Sequence, residues 1–124
     1  MSEYSFAVST VILVVLAYGA AQAEDARKPL TGVQIRRQII GMEITDNAHW
    51  ADYYRQDGTR INYDMGKRKV GVWQIKRNQL CIADNPGGSF NECWDVFLSG
   101  QKVLLRSDGT DFPAPLSLRV HTGD

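Results

Sequence analysis

The two cysteines are the residues whose type and spacing most directly predict chemistry in this sequence. Cys81 and Cys93 flank residues 84–89, an Asp-Asn-Pro-Gly-Gly-Ser run made of residues that favour turns. In a hairpin centred on Gly87 the two cysteines lie directly opposite each other, and a disulfide can span the distance between facing Cα atoms of antiparallel strands. The spacing therefore predicts a structural disulfide between Cys81 and Cys93.

A redox pair and a metal site are the other chemistries open to these cysteines. The Cys-x-x-Cys spacing of redox pairs is absent, and the chain has only two histidines, His49 and His121, to complete a four-ligand zinc site. We expect His49 at a strand edge and His121 at the frayed chain terminus, so the sequence predicts neither a metal site nor a cofactor.

Motifs for catalysis are missing from this sequence. It contains no Gly-x-Ser-x-Gly, His-Glu-x-x-His, phosphate-loop or Gly-x-Gly-x-x-Gly pattern. Ser89 lies in a glycine-rich loop with no histidine nearby, and Glu92 and Asp95 are explained by a solvated strand face as well as by an acid and base pair. We therefore predict a non-enzymatic protein with no catalytic residues.

An apolar segment precedes the polar part of the chain. Residues 11–17 are all apolar, the segment ends in Ala21-Gln22-Ala23, and Glu24 begins a polar stretch. This pattern predicts a signal peptide over residues 1–23, with periplasmic or secreted localisation and one disulfide-linked β-rich domain over residues 24–124. An uncleaved N-terminal anchor is the alternative; after cleavage the protein is not expected to be an integral membrane protein.

The composition is that of one ordinary globular domain. The chain has 124 residues, 44% of them apolar, with 14 Lys+Arg balanced by 14 Asp+Glu. A core can be filled from this composition, while the balanced charge gives no bulk attraction to duplex phosphates. We therefore expect no nucleic-acid partner.

The polar chain begins with one short helix and continues as strands. Thr31 and Gln34 fit a capping box and Gly41 is a natural stop, which predicts a helix over about Gly32 to Ile40. Turn pairs then separate short runs rich in Tyr, Val, Ile and Trp. The predicted strands include Trp50 to Arg55, Thr59 to Asp64, Lys69 to Lys76, Trp94 to Leu98, Lys102 to Arg106 and Leu116 to Val120. The fold class is mainly β (α+β): a short N-terminal helix followed by a small antiparallel β-barrel, or a strongly bent sheet, of seven or eight strands.

Five basic residues gather at the two ends of one predicted strand. They are Lys67, Arg68, Lys69, Lys76 and Arg77. Such a patch is typical of contact with an anionic polymer or lipid headgroup of the cell envelope, although lysines on an edge strand also prevent aggregation.

The motif Gly71-Val72-Trp73 resembles the Gly-x-Trp signature of lipocalins and avidin-like barrels. The resemblance implies that Trp73 is a core anchor and that Arg119, on the last predicted strand, packs over it as a basic residue does in those families. It also implies a calycin-like carrier of a small apolar ligand.

Over a wider span the layout is similar to small exported bacterial proteins of uncharacterised function. The resemblance rests on the helix closed by Gly41, then Tyr53-Tyr54 before Asp57-Gly58, Gly71-x-Trp73, Leu80-Cys81 and Cys93-Trp94. It implies an exported, disulfide-linked β-domain. The sequence thus predicts an exported, non-enzymatic binding or accessory module of the bacterial cell envelope whose partner is an envelope protein or an anionic polymer; the calycin-like carrier is the alternative.

Overall fold

The computed structural model describes residues 28–123, and the predicted signal segment lies outside them. Within this range one helix, α1 (Gly32–Gln38), precedes nine strands. The strands are β1 (Met42–Thr45), β2 (Trp50–Tyr54), β3 (Thr59–Asp64), β4 (Lys67–Lys76), β5 (Gln79–Ala83), β6 (Glu92–Ser99), β7 (Lys102–Ser107), β8 (Thr110–Asp111) and β9 (Leu116–Val120). No helix in residues 28–123 has the length and apolarity needed to cross a membrane.

Eight of the strands close into an antiparallel barrel. Strands β1 to β7 pair in sequence order, and β9 pairs with both β7 and β1, which closes the sheet. Strand β8 pairs with β7 and adds a short hairpin outside the closed ring. Closure leaves the barrel strands paired on both sides over much of their length, which removes the exposed edges of an open sheet. The predicted mainly-β fold, with a short helix and a small antiparallel barrel, is confirmed.

The capping box predicted for the helix is present. The Thr31 hydroxyl accepts a hydrogen bond from the Gln34 N–H at 3.2 Å, and the Gln34 side-chain oxygen accepts one from the Thr31 N–H at 2.9 Å. The helix ends at Gln38, two residues before the predicted end, because the Ile40 N–H bonds back to the Ile35 carbonyl as the chain unwinds toward Gly41, whose φ is +92°.

Helix α1 covers one end of the barrel. At its start, the Gly32 N–H donates to the side-chain oxygen of Asn78 in the β4–β5 turn at 2.8 Å. Just after its end, the Gly41 N–H donates to the carbonyl of Tyr54, the last residue of β2, at 2.7 Å. Consecutive turns of an antiparallel barrel alternate between its two ends. The β3–β4 turn and the β5–β6 loop therefore lie at the opposite end, which we call the open end.

Side chains from the helix and from every barrel strand except β3 form the hydrophobic core in the interior. Ile35 of the helix and Ile39, which follows its last residue, have no exposed surface and belong to the same core cluster as the inward-facing strand residues. Toward the open end, Phe112 packs edge-on against Trp50 at 5.5 Å and Trp94 at 6.1 Å between ring centroids. The other members of the core cluster are Leu30, Ile40, Ile44, Tyr54, Trp73, Leu80, Ile82, Val96, Val103, Leu105, Leu116 and Leu118.

The two cysteines face each other on neighbouring strands and are joined by a disulfide. Cys81 of β5 is the register partner of Cys93 of β6, as the hairpin centred on Gly87 predicts. The bond closes a loop with a sequence separation of 12 residues, and the prediction of this pairing is confirmed by the structure.

The glycine of the Gly-x-Trp motif marks the point where the pairing of β4 with β5 ends. A Cβ added to Gly71 lies 2.5 Å from the Ala83 carbonyl oxygen, so only glycine fits there without a shift of the backbone. Pairing between β4 and β5 begins one residue later, at Val72. The earlier half of β4 pairs with β3 alone among the described strands.

Candidate binding site

A polar cluster lies inside the barrel toward its open end. Trp50 and Tyr54 of β2 pack in or against the core, and Asp52 lies between them in the alternation of the strand. The Asp52 side chain therefore faces the same interior, and only 7% of its surface is exposed. A carboxylate in this position needs hydrogen-bond partners that compensate for the loss of water.

The strand register supplies those partners. Asn62 of β3 lies opposite Asp52, and Arg60 lies opposite Tyr54. The Asn62 amide donates to one carboxylate oxygen of Asp52 at 2.7 Å. The Arg60 guanidinium donates to the other oxygen at 3.0 Å, and the Tyr54 hydroxyl donates to that same oxygen at 3.3 Å. Three side-chain donors thus converge on Asp52.

The electrostatics of this cluster fix the protonation of two of its members. Burial, followed by the nearby charge of Asp52, holds the pKa of the Tyr54 hydroxyl well above its ordinary value. Burial is the largest single effect on Arg60 and acts to lower its pKa, but the charge of Asp52, its hydrogen bond to Arg60 and the smaller effects of Tyr54 and Glu92 together outweigh it, so the net pKa is raised. Near neutral pH, Tyr54 is therefore a hydrogen-bond donor and Arg60 is a permanent cation, and neither titrates as an acid or base.

A polar cleft of about 430 Å³ opens beside this cluster. It lies where the pairing of β4 with β5 ends: one wall comes from the first half of β4 and the other from the beginning of the β5–β6 loop. The residues that line it are Arg60, Asn62, Lys69, Val70, Gly71, Asp84 and Asn85. The cleft therefore gives solvent access to a side chain, Arg60, that belongs to the buried cluster.

The structure divides the basic patch predicted from the sequence. All five of its residues are exposed, but they lie at opposite ends of β4. Lys69 and Lys76 are seven residues apart in an extended strand, which places them about 23 Å from each other. The five residues therefore form two separate groups, as their placement at the two ends of one strand predicts, and contact with an anionic partner stays a prediction. Lys69 alone among these five residues lines the cleft. The half of β4 before Gly71 pairs with one strand only, so the lysines there lie on an edge, where they can prevent aggregation.

The predicted partner of Trp73 is also wrong. Trp73 is a core residue, 6% exposed, and its indole N–H donates to the Arg55 carbonyl at 2.7 Å. The guanidinium over its ring belongs to Arg36 of helix α1, at 5.7 Å from the ring centroid. Arg119 instead lies opposite Glu43 of β1 and hydrogen-bonds with its carboxylate. Trp73 faces the barrel interior, whereas Arg119 follows the inward-facing Leu118 and points outward.

A second ionic cluster covers the outer surface of β1 and β2. Glu43 is 5% exposed because Arg119 and His121 both contact its carboxylate, His121 at 3.1 Å. The His121 ring stacks on Tyr53 with 3.9 Å between ring centroids. The expectation that His121 belongs to a frayed terminus is wrong, because this stacking and ion pair hold the residue against the barrel wall.

The remaining candidates from the sequence do not converge on one site. Ser89 is exposed in the β5–β6 loop, and His49 is exposed beside Asp46 in the β1–β2 loop. Glu92 and Asp95 are three residues apart on β6 and point to opposite faces of the strand. In residues 28–123 no group of three or more His, Cys, Asp and Glu side chains is arranged to hold a metal ion.

Sequence reasoning missed the Asp52 cluster, although a signal for it was present. In Trp50-Ala-Asp-Tyr-Tyr54 the carboxylate alternates with two aromatic residues, so a strand with a buried aromatic face also buries Asp52. Arg60 and Asn62 alternate in the same way in the next strand. The hairpin turn at Asp57-Gly58 then sets the register that joins them.

Comparison with protein-family models, curated proteins and solved structures found no match to this chain. The site must therefore be interpreted from its own geometry.

Proposed function

We propose that this chain is an exported, non-enzymatic binding module of the bacterial cell envelope, and that it binds its ligand in the polar cleft. The observation that carries this proposal is the access that the cleft gives to Arg60, a mostly buried cation held in place by Asp52. A charged side chain fixed in a concave site is typical of a binding site, because its orientation requires no ordering when the ligand arrives.

Two further observations support binding without catalysis. Tyr54 stays protonated and Arg60 stays charged near neutral pH, so the centre of the cluster has no group poised for proton transfer. The Asp52 carboxylate is engaged by three donors and faces them rather than the cleft. These groups can hold and orient a ligand.

Export is supported by the sequence and by the disulfide. The apolar segment before Ala21-Gln22-Ala23 matches a signal peptide, and a disulfide between Cys81 and Cys93 persists in an oxidising compartment. Cell fractionation with N-terminal sequencing tests this part of the proposal. Mature protein that begins at Glu24 in the periplasm or medium supports it, and a chain retaining Met1 in the membrane pellet contradicts it.

Protein-detected NMR tests the cleft as the binding site. Envelope extract, separated into protein and polymer fractions, is added to the ¹⁵N-labelled domain. We expect saturable shifts at the amides of Lys69 to Gly71 and Asp84, weakened by Lys69→Glu and unaffected by Lys76→Glu on the same strand. The ligand should be recovered with unchanged mass. Shifts confined to another surface, or chemical conversion of the ligand, would contradict the proposal.

A calycin-like carrier of a small apolar ligand is the second candidate, because the closed eight-stranded barrel is compatible with one. The side chains that fill the interior, among them Trp73, Tyr54 and Phe112, argue for the polar cleft instead. Native mass spectrometry separates the two candidates. A carrier retains a small apolar molecule through purification, whereas the cleft-binding module is isolated with the mass of the polypeptide alone.

A further inference from the structure

We propose that the cleft recognises an oxyanion, a carboxylate or phosphate group of its ligand, held between Arg60 and Lys69. This inference rests on the proposed function and specifies the chemical group that the cleft binds. The hydrogen-bond donors of the cleft that have no acceptor among the described residues point to an oxyanion.

The Arg60 guanidinium is only partly engaged by the described residues. Its Nη2 atom donates to Asp52, but its buried Nε–H finds no hydrogen-bond partner in residues 28–123. Its Nη1 atom lies 3.9 Å from a carboxylate oxygen of Asp84, beyond hydrogen-bonding distance. A guanidinium carries five N–H donors in a planar fork that suits carboxylates and phosphates, and because the Nε–H is buried, it is the Nη1 donors of Arg60 that remain for a ligand.

Lys69 adds a second cation to the same cleft. It lies opposite Asn62 in the β3–β4 register, on the side of the strands that carries Arg60. Gly71, opposite Arg60, has no side chain, and the backbone of Ala83 and Asp84 approaches it closely, which brings the start of the β5–β6 loop against the cleft. An ammonium and a guanidinium facing one cleft favour an anion over a neutral or cationic group.

The acidic groups nearby do not supply a competing cation site. The Asp52 carboxylate already accepts hydrogen bonds from Tyr54, Arg60 and Asn62. Glu92 of β6 adds a smaller electrostatic effect on Arg60 and does not line the cleft. Asp84 is the carboxylate among the lining residues, and its side chain is 96% exposed on the β5–β6 loop. A weakly held, solvated carboxylate near Nη1 occupies the place that a ligand oxyanion would take. Asp84 therefore acts as a competitor for Arg60, and its removal should strengthen anion binding.

Titrations with defined anions test this inference. Sodium acetate and sodium phosphate are added separately to the ¹⁵N-labelled domain, with sodium chloride at matched ionic strength as the control. We expect saturable shifts at the amides of Val70, Gly71 and Asn85 with acetate, phosphate or both, and not with chloride. Tighter binding of acetate assigns the ligand group to the carboxylates, and tighter binding of phosphate assigns it to the phosphates.

Variants with opposite expected signs make the test specific. Because exposed charge pairs are weak, Lys69→Gln should reduce anion affinity by roughly two- to fivefold, and Asp84→Asn should raise it by a similar factor. Lys76→Gln, at the far end of β4, should have no effect. Arg60→Lys keeps the charge and removes the planar fork, so it should weaken binding further. If that variant fails to fold, the Lys69 and Asp84 variants still decide the result.

Three results would overturn the inference: no saturable shift with either anion, equal effects of Lys69→Gln and Lys76→Gln, or weaker binding in Asp84→Asn. These failures differ from failure of the proposed function. If envelope extract shifts the cleft amides while acetate and phosphate do not, the cleft is the binding site and oxyanion recognition is wrong. If neither does, both proposals fail.

Discussion

The guanidinium carbon of Arg36 lies 5.7 Å from the centroid of the Trp73 ring, so the cation that covers this core tryptophan comes from the helix. Arg36 lies on α1, which covers the end of the barrel opposite the open end, and Trp73 faces the interior from β4. The contact joins the helix to the Gly-x-Trp strand, and the last strand has no part in it.

A double-mutant cycle tests this contact. Trp73→Phe retains a ring in the core, whereas Trp73→Ala should cost about 3 to 5 kcal/mol and leave little folded protein. We expect Arg36→Ala to show a coupling of about 0.5 to 1 kcal/mol with Trp73→Phe in urea denaturation, because the arginine is exposed. Arg119→Ala should be additive with Trp73→Phe, and Arg37→Ala on the same helix serves as a second control. Coupling to Arg119 instead of Arg36 would contradict the assignment.

The disulfide should contribute substantially to stability. Replacing both Cys81 and Cys93 by alanine should lower the free energy of unfolding by about 3 kcal/mol, because the bond restricts the unfolded chain across a separation of 12 residues. Thiol labelling of the denatured, unreduced protein should find no free thiol. As a control, a reducing agent should destabilise the wild type and leave the double variant unchanged. Two labelled thiols per wild-type chain would refute the pairing.

Gly71 should tolerate no side chain. Gly71→Ala places a Cβ 2.5 Å from the Ala83 carbonyl oxygen, and the strain of separating two strands should cost about 1 to 3 kcal/mol in urea denaturation. The neighbouring exposed Val70→Ala should change stability by less than about 0.5 kcal/mol. Equal stability of Gly71→Ala and wild type would show that β4 and β5 can move apart freely at this position.

Asp46 should make the domain sensitive to acid. Hydrogen bonds from the backbone N–H groups of Trp50, His49 and Ala48 hold the pKa of its carboxyl well below the ordinary range. A depressed carboxyl pKa adds stability above the unfolded value, near 3.9, and this stability disappears as the pH falls toward the folded value. The melting temperature should therefore drop as the pH falls below about 4.

Two variants of this carboxyl isolate its contribution. Asp46→Asn should lower the melting temperature near pH 7 and flatten its decline in acid, because the titrating group is gone. Asp108→Asn, in the exposed β7–β8 turn, should follow the wild-type profile. An Asp46→Asn profile parallel to the wild type would assign the acid sensitivity to other groups.

Local signals in the sequence determined the elements and the nearest-neighbour pairings. The capping box at Thr31 and Gln34, the turn at Asp57-Gly58 and the facing cysteines all depend on residues close together in the chain, so their geometry follows from backbone preferences and spacing. Strands Thr59–Asp64 and Leu116–Val120 have the predicted bounds for the same reason.

Closure of the barrel, the partner of Trp73 and the polar cleft were decided by the tertiary structure. Strand β9 inserts between β7 and β1, which places Arg119 on the outer wall beside Glu43. The guanidinium over the Trp73 ring therefore comes from Arg36 of the helix. The cleft lies where the pairing of β4 with β5 ends beside Gly71, and it brings Arg60 near Asp84 from a distant part of the chain. Such non-local contacts depend on how the whole sheet curves and closes, and the spacing of residues along one strand does not determine that curvature.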